Sequence, residues 1–269
     1  MMTVYGVIGY PVEHSLSPAM HNAAFQALGM DCAYHKFEVK GEHLADAIMG
    51  ARYLGFGGLN VTIPHKEAII RLVEPDRTAL EIGAANTIDF KSMKAFNTDA
   101  AGAIDALKSS GVEVGNRNVL VLGAGGAARA VIYGLAKEGA SVTIANRTPQ
   151  KAAELAAYMR GFGTVFGTSL DTLGEKVRAS DIIINTTPVG MGADERSLVT
   201  RDMLGRSQTV FDLVYKPLET PLLKEAKAAG TKTVDGLTML ARQGAASFEI
   251  WTGIKPPVDV MERSARDAI

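Results

Sequence analysis

The sequence predicts an α/β fold whose second half is Rossmann-like, on three observations. The wholly apolar run from Val119 to Leu122 leads directly into Gly123-Ala-Gly-Gly-Ala-Ala-Arg-Ala130 and then into a helix-period pattern. A run of this kind is a strand buried on both faces of a parallel sheet. The β-branched run from Ser141 to Ala145 follows, closing a strand–helix–strand unit of about 30 residues. Strand-like and helix-like segments also alternate on both sides of this unit, which is the pattern of α/β architectures.

Gly123, Gly125 and Ala128 satisfy the spacing G-x-G-x-x-G/A. In that fingerprint the first position turns the chain tightly, the second lets a pyrophosphate approach the backbone, and the third keeps helix and strand close. The free N–H groups at the helix start then form an anion site. The competing reading is a tight turn without a ligand. The end of the second strand selects the cofactor. NAD enzymes place an acid there for the ribose 2′-hydroxyl, whereas a 2′-phosphate calls for arginine. Asn146, Arg147 and Thr148 occupy the position, with no carboxylate before Glu154. A guanidinium suits a phosphate in bidentate fashion, so NADP is expected. The alternative is that Arg147 only decorates a helix start.

The chain has 269 residues, enough for one large or two ordinary domains. Its 47% hydrophobic and 21% charged content is that of a globular protein. A net charge of −1 provides no basic field, so nucleic acid is not expected as a partner. Cys32 is the single cysteine, which excludes an internal disulfide and suits a reducing cytoplasm. No signal-like start and no membrane-spanning apolar run is present. No Cys/His cluster or H-E-x-x-H occurs, so no metal is expected.

Taken in order, Val4 to Tyr10 reads as a strand and Ala19 to Leu28 as a helix, with Ser17 as N-cap and Pro18 as first helical residue. Ser15 and Ser17 together also suit a carboxylate at a helix start. Capping alone would explain Ser17 but not Ser15. Cys32 to Val39 reads as a strand and Glu42 to Tyr53 as a helix. A glycine turn leads into Leu59-Asn-Val-Thr-Ile-Pro64, where Asn60 and Thr62 share a strand face. A helix is expected from His65 to Val73. Lys66 at its start would be electrostatically misplaced, with a lowered pKa fit for acid/base work; the plain alternative is a solvated surface lysine. Asp76 to Ile82 reads as a helix, Asp89 to Phe96 as a hairpin-like passage, and Asp99 to Ser109 as a helix capped by Thr98. Asp99 is well placed there on dipole grounds alone; beside Lys66 it would anchor a proton donor.

After the nucleotide unit, Thr148-Pro149 opens a helix through Met159. Strands are expected from Asp181 to Ile184, Thr209 to Val214 and Thr231 to Val234, and helices from Glu219 to Ala229 and Leu237 to Trp251. The polar loop Asn185-Thr186-Thr187-Pro188 falls at a strand's carboxyl end, where ligands bind in such sheets.

Ser15-Leu-Ser-Pro18, Asn60-Val-Thr-Ile-Pro-His-Lys66, Asn86-Thr87, Asn97-Thr-Asp99 and Gly123-Ala-Gly-Gly-Ala127 occur in order, followed by Asn146-Arg-Thr148, Asn185-Thr-Thr-Pro-Val-Gly-Met191, Asp212-Leu-Val-Tyr-Lys-Pro217, Asp235-Gly-Leu-Thr-Met239 and Gln243. This series resembles the shikimate dehydrogenase family over nearly the whole length. The resemblance implies a substrate domain over residues 1–100, completed by 237–269 as the C-terminal helix packs back, and an NADP-binding Rossmann domain over 101–236. It implies reversible NADPH-dependent reduction of 3-dehydroshikimate to shikimate, a small-molecule substrate, in a cytoplasmic monomer or homodimer of the route to chorismate and aromatic amino acids. Lys66 and Asp99 would be the catalytic pair. Ser15 and Ser17 would hold the carboxylate with Tyr215 close by, and Thr62, Asn86, Asp99 and Gln243 the ring hydroxyls, with Asn60 in the same set. The cofactor set comprises Gly123, Ala124, Gly125, Gly126, Ala127, Asn146, Arg147, Thr148, Thr186, Thr187 and Leu213, together with Gly236 at the nicotinamide amide and Met239 by its ring. The chain departs from the family at Ala100, where glycine is usual, in the short Asp89 to Phe96 passage, and at Arg77, where many members are acidic. The rival readings are a quinate/shikimate dehydrogenase, another Rossmann reductase and a non-catalytic NADP-binding sensor.

Overall fold

Two sheets organise the chain. The computed structural model describes residues 2–269; Met1, the first residue of the expected 1–100 segment, lies outside the described residues. From the N-terminus the elements are β1 (Thr3–Gly9), α1 (Ser17–Ala27), β2 (Cys32–Glu38), α2 (Leu44–Tyr53), β3 (Gly58–Val61) and β4 (Glu74–Pro75). Next come α3 (Arg77–Ile82), β5 (Thr87–Asp89), β6 (Lys94–Phe96) and α4 (Asp99–Ser109). A regular alternation follows: β7 (Asn118–Leu122), α5 (Gly126–Lys137), β8 (Ser141–Asn146), α6 (Pro149–Met159), β9 (Val165–Ser169), α7 (Leu173–Arg178) and β10 (Ile182–Asn185). The chain ends with β11 (Thr209–Asp212), α8 (Pro221–Ala229), β12 (Lys232–Val234), α9 (Gly236–Thr252) and α10 (Val258–Asp267). Among the described residues no helix is long and apolar enough to cross a membrane.

The chain forms two compact units, Met1–Gly102 with Leu240–Ile269 and Ala103–Met239. The first unit holds a mixed sheet of order β2-β1-β3-β5-β6-β4. Its core is formed by residues such as Ile8, Leu59 and Ile88, each no more than 2% exposed. The C-terminal helices belong to this unit. Trp251 of α9 donates its indole N–H to the Ile88 carbonyl at 2.9 Å and lies 5.0 Å from the Tyr5 ring, while Ser264 of α10 donates to the Ala19 carbonyl of α1. His21 is wholly buried, stacked 4.4 Å from the Tyr34 ring, and burial pushes its imidazole down to about 3. It therefore stays neutral.

The second unit holds a fully parallel six-stranded sheet of order β12-β11-β10-β7-β8-β9. The strand order reverses between β7 and β10, and in such sheets the crevice at this switch point takes the ligand. The apolar runs of β7, β10 and β11 occupy the middle of the sheet, covered on both faces by helices, which is why they show no alternation.

Four local expectations are corrected. The helix expected from His65 to Val73 is absent; only a 3₁₀ turn at Ile69–Arg71 forms. The Lys66 carbonyl, which an α-helix would give to residue 70, instead accepts the Ala85 N–H at 2.8 Å. The dipole argument for Lys66 therefore has no helix to act through. Ser17 is the first residue of α1 rather than its cap, and Leu16 precedes it without a side-chain bond. The Ser15 hydroxyl instead accepts the Ser17 N–H at 3.3 Å. The start of α4 is capped from Asn97, whose Oδ1 accepts the N–H groups of Asp99 and Ala100, while Thr98 turns its hydroxyl inward. Finally, β3 stops at Val61, so the alternation expected to align Thr62 with Asn60 ends one residue early. β9, α7 and α10 were not foreseen; β9 lies at a sheet edge with Phe166 half exposed, and so lacks the apolar run of a central strand.

Candidate active site

In the first unit Lys66 and Asp99 come together from segments 33 residues apart. The Lys66 ammonium donates to Asp99 Oδ2 at 2.6 Å, with side chains 15% and 5% exposed. A pair this close and this dry is unlike a solvated surface ion pair, and removing one member would leave a buried charge. The other Asp99 oxygen accepts from Asn86 Nδ2 at 3.0 Å. Asn86 is in turn oriented by the Thr98 backbone N–H, which donates to its Oδ1 at 2.8 Å. Its amide nitrogen also reaches Gln243 Oε1 at 3.1 Å. Lys66 thus has an anchor, and the anchor has an orienter, the arrangement a positioned proton donor requires.

Gln243 reaches this set because α4 and α9 approach closely at Gly102. A Cβ there would stand 2.7 Å from Gln243 Cβ, so only glycine fits. Asn60, 6% exposed, donates to the Asn86 carbonyl, Thr87 Oγ1 and Ser247 Oγ, and accepts the Tyr34 hydroxyl at 2.7 Å. Ser15 donates to Ser17 Oγ at 3.2 Å, so the two hydroxyls form one small polar patch before α1. Thr62, half-buried, lies just past β3. Ala100 is buried in α4 without disturbing it. The short Asp89–Phe96 passage closes because the Asp89 carboxylate accepts from the Ser92 N–H and hydroxyl. Arg77 pairs with Glu81 on the surface at 2.9 Å.

In the second unit the glycine-rich turn lies where β7 meets the switch point. Gly123 has φ +111°, which L side chains rarely adopt, and a Cβ there would meet the Thr186 hydroxyl at 2.7 Å. Thr186 itself donates to the Leu122 carbonyl at 2.7 Å, so the loops after β7 and β10 are joined. Ala124, Gly125, Gly126 and Ala127 follow into α5, whose N-cap Gly125 is exposed, makes no side-chain bond and has no acid after it. Open N–H groups without a competing carboxylate fit an anionic pyrophosphate. Asn146 donates to the Thr148 carbonyl at 3.0 Å, and the Thr148 hydroxyl makes no cap bond to α6. Arg147 is exposed and makes no hydrogen bond or ion pair among the described residues. A free guanidinium at this strand end fits a 2′-phosphate. Thr187, Leu213, Gly236 and Met239 belong to the same unit, with the Leu213 N–H on the Asn185 carbonyl at 3.0 Å. Tyr215 is half-buried, and burial raises its phenol above the ordinary value.

Several polar residues here escaped sequence reasoning. Ser247 is fully buried on α9 and joins Asn60, Thr87 and Thr98. Asp212 is fully buried at the end of β11 and is bound by Asn185. The available signal was a carboxylate or an amide closing an otherwise apolar strand, since such groups are buried only when paired.

The sequence and the fold both match known proteins. The family model for the shikimate dehydrogenase substrate-binding domain matches residues 7–88, that for shikimate/quinate 5-dehydrogenase residues 105–236, and that for the shikimate 5′-dehydrogenase C-terminal domain residues 236–266. The shikimate dehydrogenase (NADP(+)) of Methanocella arvoryzae is 81% identical over the full length of both chains. The structure of a shikimate dehydrogenase in complex with NADP+ superposes with TM-score 0.93 and 43% identity, covering 100% of this chain and 96% of the other. That of the Thermus thermophilus shikimate 5-dehydrogenase with NADP(H) and shikimate gives 0.91 and 39%, covering 100% of both. By these matches, spread along nearly the whole sequence, the chain belongs to the shikimate dehydrogenase family.

Proposed function

We propose that the chain catalyses the reversible, NADP-dependent interconversion of shikimate and 3-dehydroshikimate. The observation that carries this reading is the buried 2.6 Å contact between Lys66 and Asp99, braced by Asn86. NADPH, which the start of α5 and Arg147 would hold, would supply the hydride for the substrate carbonyl. Lys66 gives its proton to the carbonyl oxygen as that oxygen gains charge, and takes it back from the hydroxyl in the reverse direction. Asp99 holds the ammonium in place, and Asn86 and Gln243 offer further groups to the ring hydroxyls. Asn60, Thr62 and the Ser15–Ser17 pair complete the substrate set, the two serines taking the carboxylate. A polyol needs such a set, because every hydroxyl that leaves water must find a partner.

The cofactor reading rests on the uncapped start of α5 for the pyrophosphate and on Arg147 for the 2′-phosphate, flanked by Asn146 and Thr148. Thr186, Thr187, Leu213, Gly236 and Met239 line the nicotinamide side in this reading. A single cysteine supports a cytoplasmic enzyme, and the reaction serves the route to chorismate and the aromatic amino acids.

The test is oxidation of shikimate and of quinate by the purified protein, each with NADP and with NAD, beside Lys66→Ala. Shikimate turnover with NADP is expected, falling by about 10²–10⁴-fold in the variant. Equal turnover of quinate, or preference for NAD, would favour a quinate/shikimate dehydrogenase. NADP binding without any turnover would favour a sensor.

A further inference from the structure

We propose that Asp212 is a positioning residue for the coenzyme: one buried carboxylate fixes both the Asn185–Thr187 loop after β10 and the Leu213–Val214 turn after β11, and so sets how well the two loops receive NADP. The inference rests on the reading above that Thr186, Thr187, Leu213 and Gly236 meet the coenzyme.

Asp212 has no exposed surface. Its Oδ1 accepts from Asn185 Nδ2 at 2.8 Å and from the Val214 N–H at 3.0 Å, and its Oδ2 accepts the Thr220 hydroxyl at 2.6 Å. Thr220 Oγ1 in turn accepts the Leu223 N–H at the start of α8. Three separate segments therefore converge on one side chain. An ionised carboxylate only accepts hydrogen bonds. It thereby dictates which way the Asn185 amide faces: Nδ2 must point at Asp212, where it also reaches the Val189 carbonyl at 3.2 Å. Asn185 Oδ1 is left to face Thr187, and accepts both its N–H at 3.0 Å and its hydroxyl at 2.7 Å. The Thr187 hydroxyl then accepts the Val189 N–H at 3.2 Å.

The chain of dependence runs in one direction. Turning the Asn185 amide over would put a carbonyl oxygen against a carboxylate oxygen and present N–H groups to the Thr187 N–H. Asp212 disfavours this, and so fixes the orientation of the Asn185 amide that holds Thr187. The same carboxylate holds the Val214 N–H, one residue past Leu213, whose own N–H is on the Asn185 carbonyl. None of these contacts involves a charged partner, so Asp212 has no ion pair to serve. Its position behind the two loops gives a buried carboxylate there a positioning role. Binding energy otherwise lost in ordering a loop is saved when the loop is held in advance.

The test measures NADP affinity by calorimetry and the steady-state constants for NADP and shikimate, in the unsubstituted protein, Asp212→Ala, Asp212→Asn, Asn185→Ala and the Asp212→Ala/Asn185→Ala pair. Asp212→Ala is expected to weaken NADP binding about tenfold, the scale of one lost buried hydrogen bond, with KM for shikimate little changed. Asp212→Asn, which retains an acceptor for Asn185 and Val214, is expected to recover most of that loss. The double variant is expected to bind no more weakly than Asn185→Ala. Should Asp212→Ala not fold, Asn185→Ala must itself show the tenfold loss. NADP affinity unchanged in folded Asp212→Ala or in Asn185→Ala, or full additivity in the double variant, overturns the inference alone. If the unsubstituted protein does not bind NADP, the cofactor reading and the inference fall together.

Discussion

Each unit buries an aspartate in a polar cluster, and the two clusters differ in what they face. Asp99 faces a cation: Lys66 lies at 2.6 Å on one oxygen and Asn86 at 3.0 Å on the other. Asp212 faces only neutral donors from Asn185, Val214 and Thr220, and burial pushes its carboxyl up to about 6 despite them. The first arrangement holds an ammonium whose charge is balanced, which suits the proton donor proposed for Lys66. The second has no cation to balance it and gathers donors from the loops around it. A buried carboxylate is thus read by its partners: a paired cation points to chemistry, and a set of backbone and amide donors points to scaffold.

The largest way to break this comparison is to remove the balance at Asp99. Asp99→Ala strands the Lys66 ammonium in a site 15% exposed, and is expected to lower unfolding free energy by about 3–5 kcal/mol. Urea denaturation at neutral pH reads this. A loss well under 1 kcal/mol would show that water reaches Lys66 freely and that the pair resembles a surface one. Asp99→Asn keeps an acceptor and should cost less stability while still depressing turnover.

A middle-sized effect concerns the coenzyme end, where the proposed recognition rests on an exposed cation rather than on a dry pair. Arg147→Ala is expected to weaken NADP about ten- to a hundredfold and to leave NAD nearly untouched, because a bidentate guanidinium–phosphate contact is lost only for the phosphorylated ribose. Titration of both coenzymes at low and high salt checks it. The NADP term should shrink with added salt, since an exposed contact is screened. Equal losses for both coenzymes would place Arg147 elsewhere.

The smallest effect sharpens the comparison directly. With a folded value near 6 against an ordinary 3.8, Asp212 holds its proton more tightly in the folded state than in the unfolded one, though it is ionised at neutral pH. Its contribution to stability is then fully present below about pH 4 and is lost as pH rises through about 6. Asparagine at this position does not titrate. The stability of the unsubstituted protein relative to Asp212→Asn should accordingly fall by about 1–1.5 kcal/mol between pH 5 and pH 7.5. Paired denaturation curves at the two pH values measure it, and a gap that stays level or widens would mean that the three donors outweigh burial.

Much of the second unit was legible from residues 118–148 alone, because its signals are local. An apolar run, a Gly-x-Gly turn, a helix pattern and a second run specify backbone conformations within a few residues of each other, and Arg147 follows at a known offset. The polar cluster around Asp99 was legible only as a set of residue types. Lys66 was singled out, but by a helix that does not form; the backbone bond from Ala85 that displaces that helix also brings the residue beside Asn86 and Asp99. Asn97 rather than Thr98 caps α4, because Thr98 is drawn into Asn86, Gln243 and Ser247, a choice no local propensity encodes.

Residue order and side-chain period by themselves determined the parallel sheet, the switch-point loop and the cation placed for a phosphorylated ribose, while the inventory of polar groups for a small hydroxylated acid came with the family resemblance. Tertiary structure alone decided which of those groups touch. Lys66 meets Asp99 across 33 residues, Asn86 meets Gln243 across 157, and Asn60 meets Ser247 across 187. Contacts over such separations are set by how sheets and helices pack, and packing depends on volumes and on the satisfaction of buried polar groups throughout the unit rather than on any stretch of neighbouring residues.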